Sequence, residues 1–123
     1  MADVGIGLDV SYVAEEDMSA GQYKIVKQGA AGTGVLFSSS TVSVHMGVLQ
    51  NAPVTDVGAT VRISGRSKVL AGNGGLAIGS VVQGDASATG VSTTADNTQI
   101  IGITETAAAS GYYATIRIQP GRY

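Results

Sequence analysis

The stretch Ala59-Thr60-Val61-Arg62-Ile63-Ser64-Gly65-Arg66 occurs twice in this chain. Its second copy is Ala114-Thr115-Ile116-Arg117-Ile118-Gln119-Pro120-Gly121-Arg122, which carries one inserted proline. Apolar and polar residues alternate in both copies, as they do in a half-buried strand. The pattern predicts two equivalent strands, with Arg62 and Arg117 at equivalent outward positions.

The similarity continues upstream of both copies. Gly47 and Gly102 precede them by the same spacing, and Ala52 matches Ala107. The chain is therefore a repeat of about 55 residues, covering residues 19–66 and again 77–122. Two copies are too few for a solenoid and predict a compact domain with internal pseudo-two-fold symmetry. The alternative is chance similarity in a sequence rich in small residues. The arginine and the following glycine–arginine pair recur in register, and this argues against chance.

Short runs rich in β-branched residues alternate with glycine-rich turns, and no window has the apolar stripe of a helix. This pattern predicts an all-β domain over residues 19–123, a small barrel or sandwich of roughly eight strands. Strands are expected at residues 22–27, 35–37, 41–49, 59–64, 68–71, 81–82, 99–104 and 111–119. One helical turn is expected at residues 106–110.

Residues 1–18 lie outside the repeat and hold five of the nine acidic residues: Asp3, Asp9, Glu15, Glu16 and Asp17. We expect an extended N-terminal arm, with at most a short strand at residues 10–13. A disordered N-terminus is the alternative.

The composition narrows the function. Charged residues make up 13% of the 123 residues and the net charge is -2, so the basic footprint of a nucleic-acid-binding protein is missing. No apolar run approaches the roughly 18 residues of a membrane span, and the first residues lack the pattern of a signal peptide. We therefore expect no nucleic acid and no membrane as partners, and synthesis in a cytoplasm. A surface this poor in charge indicates an interface.

The sequence offers little for catalysis or cofactor binding. His45 is the single histidine, it is expected on the outward face of a strand, and the chain has no cysteine. The acidic run at residues 15–17 is interpreted as a solvated charge run rather than a cation site. The loop at residues 72–75 lacks the Gly-Lys-Ser/Thr of a phosphate loop. We expect no enzyme activity, no cofactor and no metal. Of the neighbouring Tyr112 and Tyr113, one ring is expected to be exposed, as a packing contact rather than a sugar platform.

Several short segments resemble the capsid cement, or head decoration, proteins of tailed bacteriophages. The resemblance spans about Gly21 to Ile118, and Ser80 departs from it at a position where the family often has an acid. It is carried by Gly47-Val48-Leu49-Gln50-Asn51-Ala52-Pro53, residues 58–65, residues 68–72, residues 78–82, Ile101-Gly102-Ile103 and Ala107-Ala108-Ala109.

The resemblance implies a structural virion protein with a lambda-type decoration fold. Such proteins bind the outside of the expanded capsid, often as homotrimers, where major capsid protein subunits meet, and they stabilise the shell. A carbohydrate- or receptor-binding β module on a phage particle is the alternative function. The arm is the candidate capsid-binding segment, through Asp3, Val4, Ile6, Leu8, Val10 and Tyr12, by adding a strand to a sheet edge.

Four arginines are candidates for contacts between subunits, because the two copies carry them at matching outward or terminal positions. They are Arg62, Arg66, Arg117 and Arg122. The alternative is that they are ordinary solvated residues.

Overall fold

A computed structural model describes residues 7–30, 32–40, 43–94 and 98–122, the last of them by its backbone only. These residues form nine strands and no helix, which confirms the all-β prediction. The strands are β1 (Leu8–Ala14), β2 (Ile25–Gln28), β3 (Gly34–Phe37), β4 (His45–Leu49), β5 (Gly58–Leu70), β6 (Val81–Gly84), β7 (Gly90–Ser92), β8 (Gln99–Thr106) and β9 (Tyr113–Arg122). The helical turn expected at residues 106–110 is absent from this part of the chain, because Ala108 instead bridges to Leu76.

The first five strands close into a barrel. Their order is β1-β3-β2-β4-β5, and β1 also pairs with β5, so the ring has no open edge. The β1–β3 pairing is parallel, with Ala14 opposite Val35, and the other pairings are antiparallel. Closure satisfies the backbone groups that an edge strand would leave unpaired.

The second half of the chain repeats this arrangement. Residues 65–70 of β5 pair with β9, and β9 is followed in the sheet by β8, β6 and β7. A parallel bridge between Ala71 and Gly90 closes this second ring, as the β1–β3 pairing closes the first. The long strand β5 therefore serves both barrels, and it passes from one to the other at Gly65, whose φ of 89° is readily accessible only to glycine.

The strand registers define the true repeat. Val48 pairs with Arg62 in the first barrel, and Ile103 pairs with Arg117 at the equivalent place in the second. Because Ala14 and Ala71 make equivalent bridges, β1 corresponds to residues 65–70 of β5 together with the following Ala71. The repeats are thus residues 8–64 and 65–122, rather than the predicted 19–66 and 77–122.

The predicted N-terminal arm over residues 1–18 is consequently wrong for residues 8–14, which form strand β1. Residues 8–14 form a wall of the first barrel, and Ala14 and Met18 are fully buried in its core. Only residues 1–6 of the predicted arm remain outside the described residues. The sequence concealed this equivalence because β1 and residues 65–71 share almost no side chains besides their final alanine.

Each barrel has its own apolar core. The first contains Ala14, Met18, Val26, Val35, Leu49, Ala59 and Val61. The second contains Val69, Ala71, Leu76, Val82, Ile101, Ala114, Ile116 and Ile118, and it is joined by Ile25 and Val48 from the first barrel. The inward positions predicted from the repeated stretch are confirmed at Ala59 and Val61, and at Ala114 and Ile116. At about 1.5–3 kcal/mol for each fully buried large aliphatic side chain, these cores are the main source of stability.

One backbone position shows how closely the two halves correspond. The N–H of Tyr23 donates to the Leu49 carbonyl, and that of Gly79 donates to the Thr104 carbonyl. Both residues have positive φ, 67° at Tyr23 and 80° at Gly79. A tyrosine in this conformation is strained, and its ring compensates by packing against the second core.

A substitution at Thr104 tests, through the free energy of unfolding, whether this position is an apolar core position like Leu49. Thr104 is buried and lies at the position of Leu49, and its hydroxyl has no hydrogen-bond partner among the described residues. Thr104→Val should therefore raise the free energy of unfolding by about 1 kcal/mol, because an unpaired buried hydroxyl is replaced by a methyl group. Chemical denaturation measures the change.

The matched control is Thr89→Val. The Thr89 hydroxyl donates to Asp85 Oδ2 at 2.8 Å, so its loss should lower the free energy of unfolding by about 1 kcal/mol. Equal destabilisation by both substitutions would show that Thr104 has a partner in solution.

Candidate interaction surfaces

Arg62 is tied to the first barrel rather than presented to a partner. Its Nε lies 2.7 Å from Asp9 Oδ1 and its Nη2 3.1 Å from Asp9 Oδ2, a two-pronged ion pair across β1 and β5. Nη1 also donates to the Arg66 carbonyl at 3.0 Å. The hydrogen bond from Arg62 lowers the pKa of Asp9, and the same bond raises the pKa of Arg62.

The equivalent position in the second barrel is arranged differently. Asp9 corresponds to Arg66, so Arg66 and Arg117 face each other across β5 and β9. Glu105 lies between them, with Oε1 2.8 Å from Arg66 Nε and Oε2 3.9 Å from Arg117 Nη1. Both arginine side chains are about half exposed, at 51% and 52%. Two of the four predicted arginines thus form a charged cluster with Glu105. The side chain of Arg122, the fourth, lies outside the described residues.

The candidate segment at the N-terminus is divided by the structure. Asp3, Val4 and Ile6 lie outside the described residues. Leu8 is 53% exposed, whereas Tyr12 packs against the first core. The backbone of residues 8–13 pairs with β5 of the same chain, so this part of the segment belongs to the first barrel.

His45 lies on the outward face of β4, but the second barrel covers that face and the side chain is not exposed to solvent. It is 3% exposed and lies at the contact between the two barrels. Its Nε2 accepts a hydrogen bond from the backbone N–H of Gly84 at 3.0 Å, so Nδ1 carries the proton and donates to Ser38 Oγ at 2.9 Å. A side chain at Gly84 would clash, since its Cβ would lie 2.7 Å from His45 Cε1. Alternation along β4 predicts only that the side chain leaves the first barrel, and it does not show that the second barrel covers it there.

Burial lowers the pKa of His45 from 6.5 to about 4. The neutral ring is therefore the form that joins the barrels. Between pH 6.5 and about 4, His45 binds a proton in the unfolded chain but not in the folded chain. The free energy of unfolding should fall as the pH is lowered from about 6.5 towards 4, by at most about 3 kcal/mol. Urea denaturation at several pH values measures this slope.

His45→Gln is the control, because it removes the only imidazole and leaves the carboxylates to titrate. The difference between wild type and variant isolates the histidine. Equal slopes for the two proteins would mean that His45 is protonated without cost in the folded state.

The acidic run at residues 15–17 organises turns. Glu15 Oε1 accepts the N–H of Ala30 at 3.0 Å, Glu16 Oε2 that of Phe37 at 2.9 Å, and Asp17 Oδ1 that of Ser19 at 3.0 Å. Carboxylates engaged in this way are more than a solvated charge run. Within the described ranges, no group of three or more histidine or acidic side chains is placed to hold a metal ion, and no helix is long and apolar enough to cross a membrane.

Large apolar side chains are exposed at several places that sequence periodicity did not single out. Tyr112 is 69% and Tyr113 51% exposed, so both rings reach the surface, although Tyr113 also packs edge-on against Tyr23 at 5.4 Å. The others are Leu8, Val13, Val44, Val54, Val57 and Ile78. Most lie in loops or at strand ends, where neither alternation nor a helical stripe can mark a residue as functional.

Comparisons with known proteins support the fold. No protein-family profile and no curated protein matches the chain. Among solved structures, the N base of the head fiber gp8.5 of bacteriophage phi29 is similar, with a TM-score of 0.72 and 15% sequence identity. The match covers 96% of this chain and 98% of that chain, so it includes both barrels. At this identity the likeness shows that the two proteins share a fold.

Proposed function

We propose that this protein is a structural component of a bacteriophage head, which binds the outer surface of the capsid and stabilises the expanded shell. The observation that carries the proposal is the likeness of fold to a phage head fiber base over nearly the whole of both chains. The short segments that resemble head decoration proteins point to the same class of protein from the residues.

The partner that we propose is the major capsid protein. The surface is suited to docking rather than to free solution, because charged residues are few and large apolar side chains such as Leu8 and Val57 are about half exposed. Residues 1–6 precede β1 and include the candidates Asp3, Val4 and Ile6. They are the segment that can add a strand to a sheet of the capsid protein without dismantling the first barrel.

We further propose that the chain acts as a homotrimer on the virion exterior. Arg66, Arg117 and the intervening Glu105 offer a partly exposed, polar contact for a neighbouring subunit. Several linked copies raise occupancy well beyond that of one weakly bound chain, because each further contact is intramolecular.

The test is cosedimentation with expanded, DNA-free heads of the phage that encodes the chain. The full chain should bind to saturation at a fixed number of copies per capsid subunit. A variant lacking residues 1–6 should bind at least about tenfold more weakly, the loss expected for roughly 1.4 kcal/mol of contact energy, and should melt at the same temperature. The matched control is Val44→Ser, which trims an exposed side chain elsewhere.

The outcomes separate the two parts of the proposal. No binding of the full chain to expanded heads would overturn the capsid function. Unchanged binding of the truncated chain would overturn the role of residues 1–6 only.

A carbohydrate- or receptor-binding module on the phage particle is the second candidate, and the paired exposure of Tyr112 and Tyr113 favours it. Aromatic platforms bind sugars by stacking. A glycan-array signal that disappears in Tyr112→Ala, together with no capsid binding, would favour this function over the first.

A further inference from the structure

The two barrels of one chain contact each other through faces that are not equivalent. The first barrel contributes the outer face of β2 and β4, which we call the plug face: Tyr23, Ile25, His45 and Val48. Ile25 and Val48 are fully buried in the core of the second barrel. The plug face is also fixed by polar contacts, from Ile25 N–H to the Ala88 carbonyl at 2.8 Å and from Gly84 N–H to His45.

The second barrel contributes a different surface, which we call the socket face: Ser67, Leu70, Gly84, Ala88 and Tyr113. Leu70 N–H donates to the Tyr23 carbonyl at 3.0 Å, and Gln50 Nε2 donates to Ser67 Oγ at 2.8 Å. The Tyr23 ring meets Tyr113 edge-on, and the Lys68 ammonium lies 5.7 Å from the Tyr23 ring centre. The junction therefore joins a plug face to a socket face.

The repeat places a second plug face on the second barrel. The strand registers make Val81, Ile100 and Ile103 equivalent to Ile25, His45 and Val48. All three are apolar and only half-buried, whereas their counterparts are buried against a neighbouring barrel. Ile78 directly precedes Gly79, the equivalent of Tyr23 in the plug face, and it is 74% exposed. We call it the rim of this face.

The repeat likewise places a second socket face on the first barrel. Its residues include Val10, Val13 and Gly58, which correspond to Ser67, Leu70 and Tyr113. Val13 is 39% exposed, and Val57 beside it is 48% exposed. One plug face, on the second barrel, and one socket face, on the first barrel, are thus left over.

We propose that the plug face of the second barrel binds the socket face of the first barrel of another copy of this chain, head to tail. The occupant is a second copy because the chain already makes this contact once between its own barrels, and because the leftover faces are the repeat equivalents of the pair that is buried. A head-to-tail contact between non-equivalent faces closes into a ring or continues as a filament. Three chains in such a ring would set six barrels around one axis. The proposal deepens the proposed self-association and does not depend on capsid binding.

The test measures the mass of the purified chain in the absence of capsids, by sedimentation velocity and light scattering. Wild type should associate at concentrations up to about 1 mM, the range of a weak protein contact. Ile103→Asp at the plug face and Val13→Asp at the socket face should each raise the dissociation constant at least tenfold. Val44→Asp, at a side chain that is 70% exposed and belongs to neither face, should associate like wild type.

Mixing the two variants distinguishes this contact from other modes of association. Ile103→Asp keeps its socket face and Val13→Asp keeps its plug face, so the mixture should form a one-to-one heterodimer that grows no further. Ile78→Asp at the exposed rim repeats the plug-face test if Ile103→Asp melts earlier than wild type.

Three results would overturn the proposal. They are a wild-type chain that stays monomeric over this range, an Ile78→Asp variant that associates like wild type, and a mixture that forms no heterodimer. Because capsids are absent, none of these results bears on the capsid function, and failure to bind capsids would leave the head-to-tail contact standing.

Discussion

The structure depends on the fact that one strand is shared by two barrels. β5 pairs with β1 and β4 in its first half and with β9 in its second half. A strand in a closed ring has both edges hydrogen-bonded, so shifting its register would break pairs in both barrels together. The bend at Gly65 lets one strand follow two differently oriented walls. Neither barrel can therefore be displaced without disturbing the other.

The contact between the barrels gives the chain its asymmetry. The side chains of Ile25 and Val48 project from the first barrel and pack into the core of the second. The neutral His45 accepts a hydrogen bond from Gly84 across the junction. The repeat equivalents of these residues are apolar but remain half-buried. The same sheet face is thus an interior surface in one half of the molecule and an outer surface in the other. The complement of that outer face already exists within the chain, on the other barrel.

The charged groups show how equivalent positions diverge. Asp9 and Arg62 form an ion pair in the first barrel. The equivalent positions in the second barrel hold Arg66 and Arg117, which both lie near Glu105. The first arrangement neutralises itself and the second leaves an excess positive charge at the surface. The two halves therefore present different charges at equivalent places while sharing one architecture.

The sequence by itself determined the class of fold and much of the repeat. Alternation over residues 59–64 and 114–119 depends on the local period of a strand, so the inward alanines, valines and isoleucines and the outward arginines could be predicted without knowing their neighbours. The tertiary structure decided which strands close each ring and where the repeats begin. β1 is equivalent to residues 65–71 through its pairing partners and not through its side chains, and the pairing makes residues 8–14 a barrel wall rather than part of an arm.

The tertiary structure also decided which outward faces are buried. His45 and Val48 leave the first barrel on the same side, and only the presence of the second barrel there makes that side an interior surface. Alternation along a strand specifies two faces but not what covers each of them. The candidate surfaces for partners depend on that second fact, which the local period of a strand does not supply.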